Sequence, residues 1–550
     1  MNASRQNPSC RANQRPPALA LVVLLLWPGL VTIGGCGGSA ADGPSAGSSP
    51  PQVDLWPSAQ TTGGQTPVRE GCDLLAGEGD PNGSFVFALN EEVLPGRAPV
   101  PHNRSERIVF AHLYETLVTV DCAGNLQPAL AEHWTCTEDS MVWVFTLREE
   151  ARFWDGSRLT AGEVRLSWAR SQDAMRASGC TSPWAWLNAR EQTVQVIDAR
   201  HLAVRLPEPQ ARFPMLLAHP ATAVAARRDG WTWPVGSGSA RLRASDPAPR
   251  PDLHCRPNPS HPRPPLWKNL VFRVEPGADP RDLVATDMDL TVVRDLRTVS
   301  FFGDAPGFQP QPLPWDLLYI LVCPPEANPG GAARWVDAVA GLDMTRDVTR
   351  VASREWTEIV FPGGGGSDCP QLSGPIADGG SARLDWNLAA LDLDNNTLIY
   401  PDGDPGAREI AHRLSALSGG PVRTAALSAA AVDFTLQWQM AGAFIVPAPQ
   451  YYPTGCLQLA NLLGRAAWLQ EAALGKRDVP HSDSLAAADA VTDRPRSDPL
   501  EALQRKGLVH PLGLSRSWLV VRGSMAGLRL AFDGTPLLDR LGRRGGEATP

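Results

Sequence analysis

Residues 113–168 read LYETLVTVDCAGNLQPALAEHWTCTEDSMVWVFTLREEARFWDGSRLTAGEVRLSW. Within this stretch, β-branched residues alternate with Trp143, Phe145 and Leu147, and this period of two predicts a strand with one buried aromatic face. Asp-Gly at 155–156 predicts a turn. Thr160 and Glu163 then have the spacing of a capping box, which predicts the start of a helix. The stretch therefore predicts a strand, a turn and a helix, in that order.

The order of these motifs resembles the extracellular solute-binding proteins of family 5, the peptide and nickel class of ABC-transporter subunits. The family's hallmark has the form LYE-LV, G, PALA-SW, F-LR, F-DG, LTA-DV, SW. Further matches follow in the family's order at 234–238, 256–259, 270–274, 400–405, 510–512, 527–530 and 533–536, with a helix expected from 405 to about Leu414. The resemblance covers about residues 80–540 and is weakest between about 295 and 500.

This resemblance implies the fold class: an α/β, two-lobed periplasmic-binding-protein (type II, Venus-flytrap) fold with an extra inserted subdomain. Mapped onto this numbering, it implies a first lobe built from 72–116, 216–308 and 491–550, an inserted subdomain at 117–215, and a shortened or divergent second lobe at 309–490. Hinge strands are expected near 308 and 490, because such proteins close on solute by hinge motion. No bond chemistry is needed, so we expect neither an enzyme nor a cofactor.

The N-terminus predicts the compartment. Arg5, Arg11 and Arg15 precede an apolar stretch, and small residues precede Cys36, which together form a lipobox. Residues 1–35 are then a signal peptide, and 36–71 hold a lipidated cysteine and a flexible tether rich in Gly, Ser and Pro. The alternative is an ordinary signal peptide with an incidental cysteine. We expect an extracytoplasmic lipoprotein anchored to a membrane.

Composition agrees with an exported binding protein. The formal net charge is −8, which gives no basic surface for nucleic acid. About 480 residues remain to fold, which exceeds one hydrophobic core and implies at least two lobes. The resemblance implies ABC permease and ATPase subunits as partners, and we expect a monomer.

The cysteine count and spacing favour disulfides over a metal site. Eight cysteines remain after removal of Cys10 and lipidation of Cys36, and an even number outside the cytoplasm favours disulfides. Cys122 and Cys136 flank the turn at Pro128 and could pair, whereas the other connectivities stay open. No CxxC or paired CxH spacing is present, which argues against a zinc site. The run Gly236-Ser237-Gly238-Ser239 lacks the GxSxG order of a nucleophile elbow, and no HExxH is present, so no metal ligand or catalytic residue is expected.

The ligand site is implied by the resemblance and by a departure from it. Peptide-binding relatives carry a GWxADY-like segment whose Asp pairs with the peptide ammonium, and here Ala441 and Phe444 replace its Trp and Asp. Loss of that carboxylate costs about 2–5 kcal/mol, so free-amino peptides are disfavoured unless Phe444 is merely a core residue. Ligand contacts are expected from Glu91, Glu92, Val93, Trp438, Met440, Ala441, Gly442 and Phe444.

Two functions follow. The first is a lipid-anchored solute-binding protein that delivers an oligopeptide-like, or a more apolar or uncharged, solute to an ABC importer by lobe closure. The alternative is a divergent relative that acts as a sensor or envelope interaction module without transport.

Overall fold

The computed structural model describes most of the chain from residue 72 onwards. The described residues are 72–80, 83–177, 193–206, 210–242, 252–325, 332–355, 393–451, 462, 465–474, 503–523 and 525–544. The predicted signal peptide, tether and Cys36 lie outside them. No helix in the described part of the chain is both long and apolar enough to span a membrane.

The described strands form several sheets. They are β1 Asp73–Leu75, β2 Ser84–Leu89, β3 Val118–Val120, β4 Leu126–Pro128, β5 Ala131–Cys136, β6 Val142–Leu147, β7 Val194–Val196, β8 His201–Arg205, β9 Ala225–Ala226, β10 Val235–Gly236, β11 Ala240–Arg241, β12 Asp252–Pro257, β13 Asn269–Val274, β14 Leu290–Val293, β15 Phe308–Val322, β16 Ala352–Glu355, β17 Thr397–Pro401, β18 Arg423–Leu427, β19 Ala443–Pro449, β20 Val509–Arg522, β21 Met525–Ala526, β22 Leu528–Leu530, β23 Pro536–Leu537 and β24 Gly542–Arg543.

The described helices lie between these strands. They are α1 Arg104–Leu113, α2 Ala161–Ala177, α3 Phe213–Leu216, α4 Leu296–Asp304, α5 Ala332–Ala340, α6 Met344–Asp347, α7 Pro405–Leu417, α8 Ala429–Gln437 and α9 Ala467–Leu474, with 3₁₀ turns at Pro220–Thr222 and Asp282–Thr286.

The stretch at 113–168 folds as its sequence predicts. In β6, Trp143, Phe145 and Leu147 are buried, and β6 lies inside a four-stranded sheet of order β5-β6-β8-β7. The helix α2 starts directly after Thr160, whose hydroxyl accepts the Glu163 N–H at 3.4 Å. The predicted strand, turn and helix are confirmed.

One large sheet runs through the molecule. It has eleven strands, in the order β11-β12-β13-β2-β14-β20-β15-β19-β17-β18, and β16 pairs with β20 off this path. The α/β class and the two-lobed fold are confirmed by this sheet and by the separate cores on its two halves. The predicted lobe boundaries stay a prediction.

Each half of the sheet has its own core. Around β2, β13 and the sheet of β5 to β8, one large apolar cluster forms the core of what we call the first lobe. In what we call the second lobe, β15 is covered on both faces: Leu317 and Tyr319 face one cluster, whereas Leu318 and Ile320 face another. A strand buried on both faces needs a continuous apolar run, which explains the sequence LLYILV at 317–322.

Two long antiparallel strands connect the lobes. β15 and β20 pair from Phe308↔Arg522 in the first lobe to Val322↔Val509 in the second. Their register shifts between Pro312 and Leu317, where β15 carries prolines that cannot donate ladder hydrogen bonds. We call this irregular zone, residues 312–317 of β15 and 515–518 of β20, the crossing.

The disulfide differs from the prediction. Cys122 pairs with Cys72, with the Cα atoms 5.5 Å apart, and Cys136 is a free thiol. The prediction of a Cys122–Cys136 bond is therefore wrong. Cys136 ends β5, which is tied into the sheet with β6, whereas the pairing of β1 with β22 and the Leu530 N–H bond to the Cys72 carbonyl fix the chain beside Cys72.

Candidate functional site

Buried charges gather on one side of the crossing. Arg104 and Arg107 project from α1, and Asp316 comes from the crossing itself; the Asp316 Oδ2 atom lies 3.3 Å from Arg104 Nη2 and 3.9 Å from Arg107 Nη2. Arg107 Nε is also 3.6 Å from Asp533 Oδ2. Asp316 is only 2% exposed, and a charge so deeply buried is tolerated only when it is paired.

A second ion pair extends this group toward the second lobe. Arg294, which follows β14, pairs with Asp404, and Asp404 accepts the Tyr319 hydroxyl hydrogen bond at 2.8 Å. The same carboxylate caps α7 by accepting the N–H groups of Gly406 and Ala407, each at 3.0 Å. The helix predicted to open after residue 404 is thereby confirmed.

Ser517 joins the two ion pairs. Its hydroxyl, on β20 at the crossing, accepts hydrogen bonds from Arg104 and Arg294. The resulting continuous set of side chains is called the interlobe network and comprises Arg104, Arg107, Arg294, Asp316, Asp404, Ser517 and Asp533. It connects α1 and the loop after β14 with both long strands and the N-terminus of α7.

The arginines of the interlobe network titrate differently. Burial, and then repulsion from Arg294, lower the pKa of Arg104 to about 10. Burial alone would also lower the pKa of Arg294, but the carboxylate of Asp404 raises it above its ordinary value. Of the three arginines in the interlobe network, Arg104 is therefore the one whose charged form is least stabilised by its surroundings.

Asp316 Oδ1, at the crossing, and Gln450 Nε2, beside it, are buried atoms without a hydrogen-bond partner among the described residues. Gln450 directly follows β19, and its backbone N–H donates to the Asp316 carbonyl at 2.9 Å, so the two residues are neighbours. The next residue, Tyr451, packs its ring 4.5 Å from that of His219, which brings the end of β19 against the first lobe.

The predicted first-lobe residues lie beside this region. Glu91 accepts the Ser105 N–H at 2.9 Å, and its charge acts on Arg104 and Arg294. Glu92 is largely exposed, 3.6 Å from Arg97, and Val93 packs against the core of the first lobe.

The loop that carries these residues is held by Glu106. The buried Glu106 carboxylate accepts the N–H groups of Leu94 at 3.2 Å and His102 at 2.8 Å, and it pairs with Arg97 at 3.3 Å. Burial nevertheless raises the pKa of Glu106 to about 7.

The predicted second-lobe residues are placed elsewhere. Trp438 caps α8 and is 52% exposed, and Met440 is half-buried. Ala441 and Phe444 are fully buried in a second-lobe core. Gly442 is buried too, and a Cβ atom there would lie 2.1 Å from the Asn395 carbonyl oxygen.

Strand direction explains why these residues do not meet Glu91. Phe444 pairs with Val322 at one end of β19, whereas Pro449 pairs with Leu317 at the crossing. Five residues of strand separate the two ends by roughly 17 Å. The expected pocket wall at 441–444 is therefore core, and the end of the same strand that reaches the crossing is followed by Gln450 and Tyr451.

Sequence reasoning missed the interlobe network. One signal was available: Asp316 is the lone charge in the apolar run PLPWDLLYILV, and a charge inside a buried strand requires a partner. The arginines gave no such signal, because they lie far from Asp316 in sequence. Among the described residues, no cluster of His, Cys, Asp and Glu side chains could hold a metal ion.

The fold is that of an α/β protein with two lobes, which are linked by two long strands and by the buried interlobe network. Solved structures share this fold. A dipeptide-binding protein from Pseudoalteromonas sp. SM9913 in complex with Met-Leu has a TM-score of 0.60 at 14% identity and covers 84% of this chain and 100% of its own. AgaA of A. tumefaciens R10, in complex with agropinic acid, has the same TM-score and identity and covers 84% and 99%.

Sequence comparison finds relatives of part of the chain. Residues 125–290 match the bacterial extracellular solute-binding proteins, family 5 Middle. The periplasmic oligopeptide-binding protein OppA of Escherichia coli K12 is 33% identical over 184 residues, 30% of this chain and 32% of its own length. The nickel-binding periplasmic protein of the same strain is 26% identical over 230 residues, 38% and 43% of the two chains. Residues 125–290 are therefore similar to the middle region of the family 5 solute-binding proteins, and the OppA alignment spans about a third of that relative.

Proposed function

We propose that this chain is a lipid-anchored extracytoplasmic protein that binds a solute between its lobes and delivers it to an ABC permease and ATPase. The observation that carries the proposal is the crossing, where β15 and β20 pass between two separate cores beside the interlobe network. Two strands with an irregular register allow lobes to rotate about them, and a solute that binds only the closed form shifts the population toward it. No step of this function needs catalysis.

The proposed solute is oligopeptide-like, or more apolar and uncharged. Asp316 Oδ1 can accept a hydrogen bond and Gln450 Nε2 can donate one, which suits a neutral amide that offers both groups. The carboxylates of the interlobe network are already engaged by arginines. A free ammonium group would have to compete with those arginines, so we expect free-amino peptides to bind poorly.

Calorimetry with matched peptides tests this proposal. The protein expressed from residue 37 is titrated with trialanine and with N-acetyl-trialanine, which differ only at the amino end. We expect dissociation constants for free-amino peptides no tighter than about 100 μM, or roughly −5.5 kcal/mol, and tighter binding of the blocked peptide. Micromolar binding of trialanine would contradict the proposed solute class.

The anchor is tested separately. Cys36→Ala should move the protein from the membrane to the soluble exported fraction without changing its folding, because two or three acyl chains are needed for stable anchoring. Detergent phase partitioning measures this, and Cys10→Ala serves as the control. Unchanged membrane partitioning of Cys36→Ala would contradict the anchor.

The second candidate is a sensor or envelope interaction module. The observation that favours it is that Ala441 and Phe444, which the family resemblance implies as cleft residues, are buried in a second-lobe core. Small-angle scattering distinguishes the two functions, since a transport subunit should become more compact across a metabolite screen and an interaction module should not.

A further inference from the structure

A row of stacked cationic and aromatic side chains crosses the sheet at the crossing. The guanidinium carbons of Arg354 and Arg516 each lie 4.7 Å from the centroid of the Trp315 ring. Arg516 also lies 5.4 Å from the Trp518 ring. The three strands bring these residues together, because Trp315 of β15 pairs with Arg516 of β20 while Arg354 of β16 pairs with Leu514, two residues along β20.

The strand register places the two arginines on one face. Directly paired residues share a face, and residues two apart on a strand do so as well. Arg354, Leu514, Arg516 and Trp315 therefore lie on the same side of the sheet. Two positive charges are thus held beside one indole.

Neither charge is balanced by a carboxylate in the described part of the chain. Among the described residues, no carboxylate forms an ion pair with Arg354 or Arg516, whereas Arg104, Arg107 and Arg294 are all paired. Arg516 Nε is buried and has no hydrogen-bond acceptor in the described part of the chain. Burial and then the charge of Arg516 lower the pKa of Arg354, as expected for unbalanced cations.

A cation–π contact does not use the N–H donors of a guanidinium group. A guanidinium that lies over an aromatic ring uses its face, and its N–H donors point outward in the plane. Such a fork matches the two oxygens of a carboxylate or phosphate. The indole also restricts the arginine rotamers, so less conformational freedom is lost when an anion binds.

We propose that Arg354 and Arg516, stacked on Trp315, form a binding site for an anionic group, a carboxylate or a phosphate. The anion is either free in solution or part of the solute, and only the second case rests on the proposed function.

Calorimetry at constant ionic strength tests the site. The protein from residue 37 is titrated with inorganic phosphate, acetate, N-acetyl-dialanine and N-acetyl-dialanine amide. We expect at least one anionic probe to bind, and the double variant Arg354→Gln/Arg516→Gln to weaken that binding by roughly tenfold or more, since it loses charge-assisted hydrogen bonds. Binding by phosphate or acetate indicates a free anion, whereas tighter binding of N-acetyl-dialanine than of its amide indicates an acidic solute.

Matched variants keep the result interpretable. Arg281→Gln removes an exposed arginine that is already paired with Asp279 and should leave anion binding unchanged. The single variant Arg354→Gln alters an exposed side chain and should fold even if the Arg516 change does not, as circular dichroism will show. The proposal is overturned if no anionic probe binds, or if both Arg354→Gln and the folded double variant bind the probe as well as the unmodified protein. Because no permease is involved, a negative result leaves the transport proposal standing.

Discussion

Asp316→Asn is the change that tests the interlobe network most sharply. It removes one negative charge from the crossing and keeps the size and shape of the side chain. Asp316 is 2% exposed, and its partners Arg104 and Arg107 have side chains 15% and 8% exposed. The substitution therefore leaves arginines that are buried and lack their nearest carboxylate.

The size of the stability loss depends on which partners Arg104 and Arg107 keep in the variant. Removing one partner of a buried ion pair typically costs about 3–5 kcal/mol. Arg104 keeps its hydrogen bond to Ser517, and Arg107 keeps Asp533 at 3.6 Å. We therefore expect the lower end of that range, a loss of about 3 kcal/mol in the free energy of unfolding.

Urea unfolding followed by tryptophan fluorescence and circular dichroism measures this loss. Asp279→Asn is the control, because it removes a carboxylate from an exposed pair with Arg281 and should not shift the midpoint. A double-mutant cycle of Asp316→Asn with Arg104→Gln should give a coupling energy of about 1 kcal/mol or more. A loss below about 1 kcal/mol for Asp316→Asn, or zero coupling, would refute the network.

Three further predictions concern other parts of the chain. The double variant Cys72→Ala/Cys122→Ala removes a disulfide whose two cysteines are 50 residues apart in sequence. It should lower the free energy of unfolding by about 4 kcal/mol, because the unfolded chain gains conformational entropy. The control Cys136→Ser should unfold at the same urea concentration as the unmodified protein, and equal midpoints for both variants would contradict the disulfide. Burial raises the pKa of Glu106 from 4.5 to about 7, so between these pH values the folded state holds a proton that the unfolded chain has lost. The free energy of unfolding should therefore fall by on the order of 3 kcal/mol as pH rises from 4.5 to above 7. Glu106→Gln should remove this fall in urea titrations at pH 4.5 and 8, and a fall of the same size in the variant would contradict the assignment to Glu106. Phe444→Asp places an unpaired charge in the core and should lower the free energy of unfolding by at least about 4 kcal/mol. Phe444→Leu should lower it by about 1 kcal/mol. A well-folded Phe444→Asp protein would show that the residue faces solvent or solute.

The parts of the fold that the sequence predicts are those with a local cause. The alternation in β6, the turn at Gly156 and the cap at Thr160 each depend on a few neighbouring residues, and all three are found. The helix after Asp404 is likewise local, since its cap is formed within three residues. Such features need no knowledge of the tertiary structure.

The residues that form the candidate site are far apart in sequence. Asp316 meets Arg104 across 212 residues, and no pattern near either residue indicates the other. The family resemblance implies that 441–444 line the cleft. The strand β19 is apolar throughout, so its own sequence does not show which end reaches the crossing. The disulfide between Cys72 and Cys122 depends on strand pairing at the opposite end of the chain, and spacing favoured the nearer Cys136.

Native mass spectrometry of the protein expressed from residue 37 tests the central claim most directly. The protein is purified without denaturant from bacteria grown on a rich peptide medium, and its mass is compared before and after unfolding and refolding. A solute-binding subunit should carry one small molecule per chain that is lost on unfolding and that restores the bound mass when it is added back. A protein with the mass of the bare chain in every preparation, and with no added mass across a metabolite and peptide screen, would contradict the account.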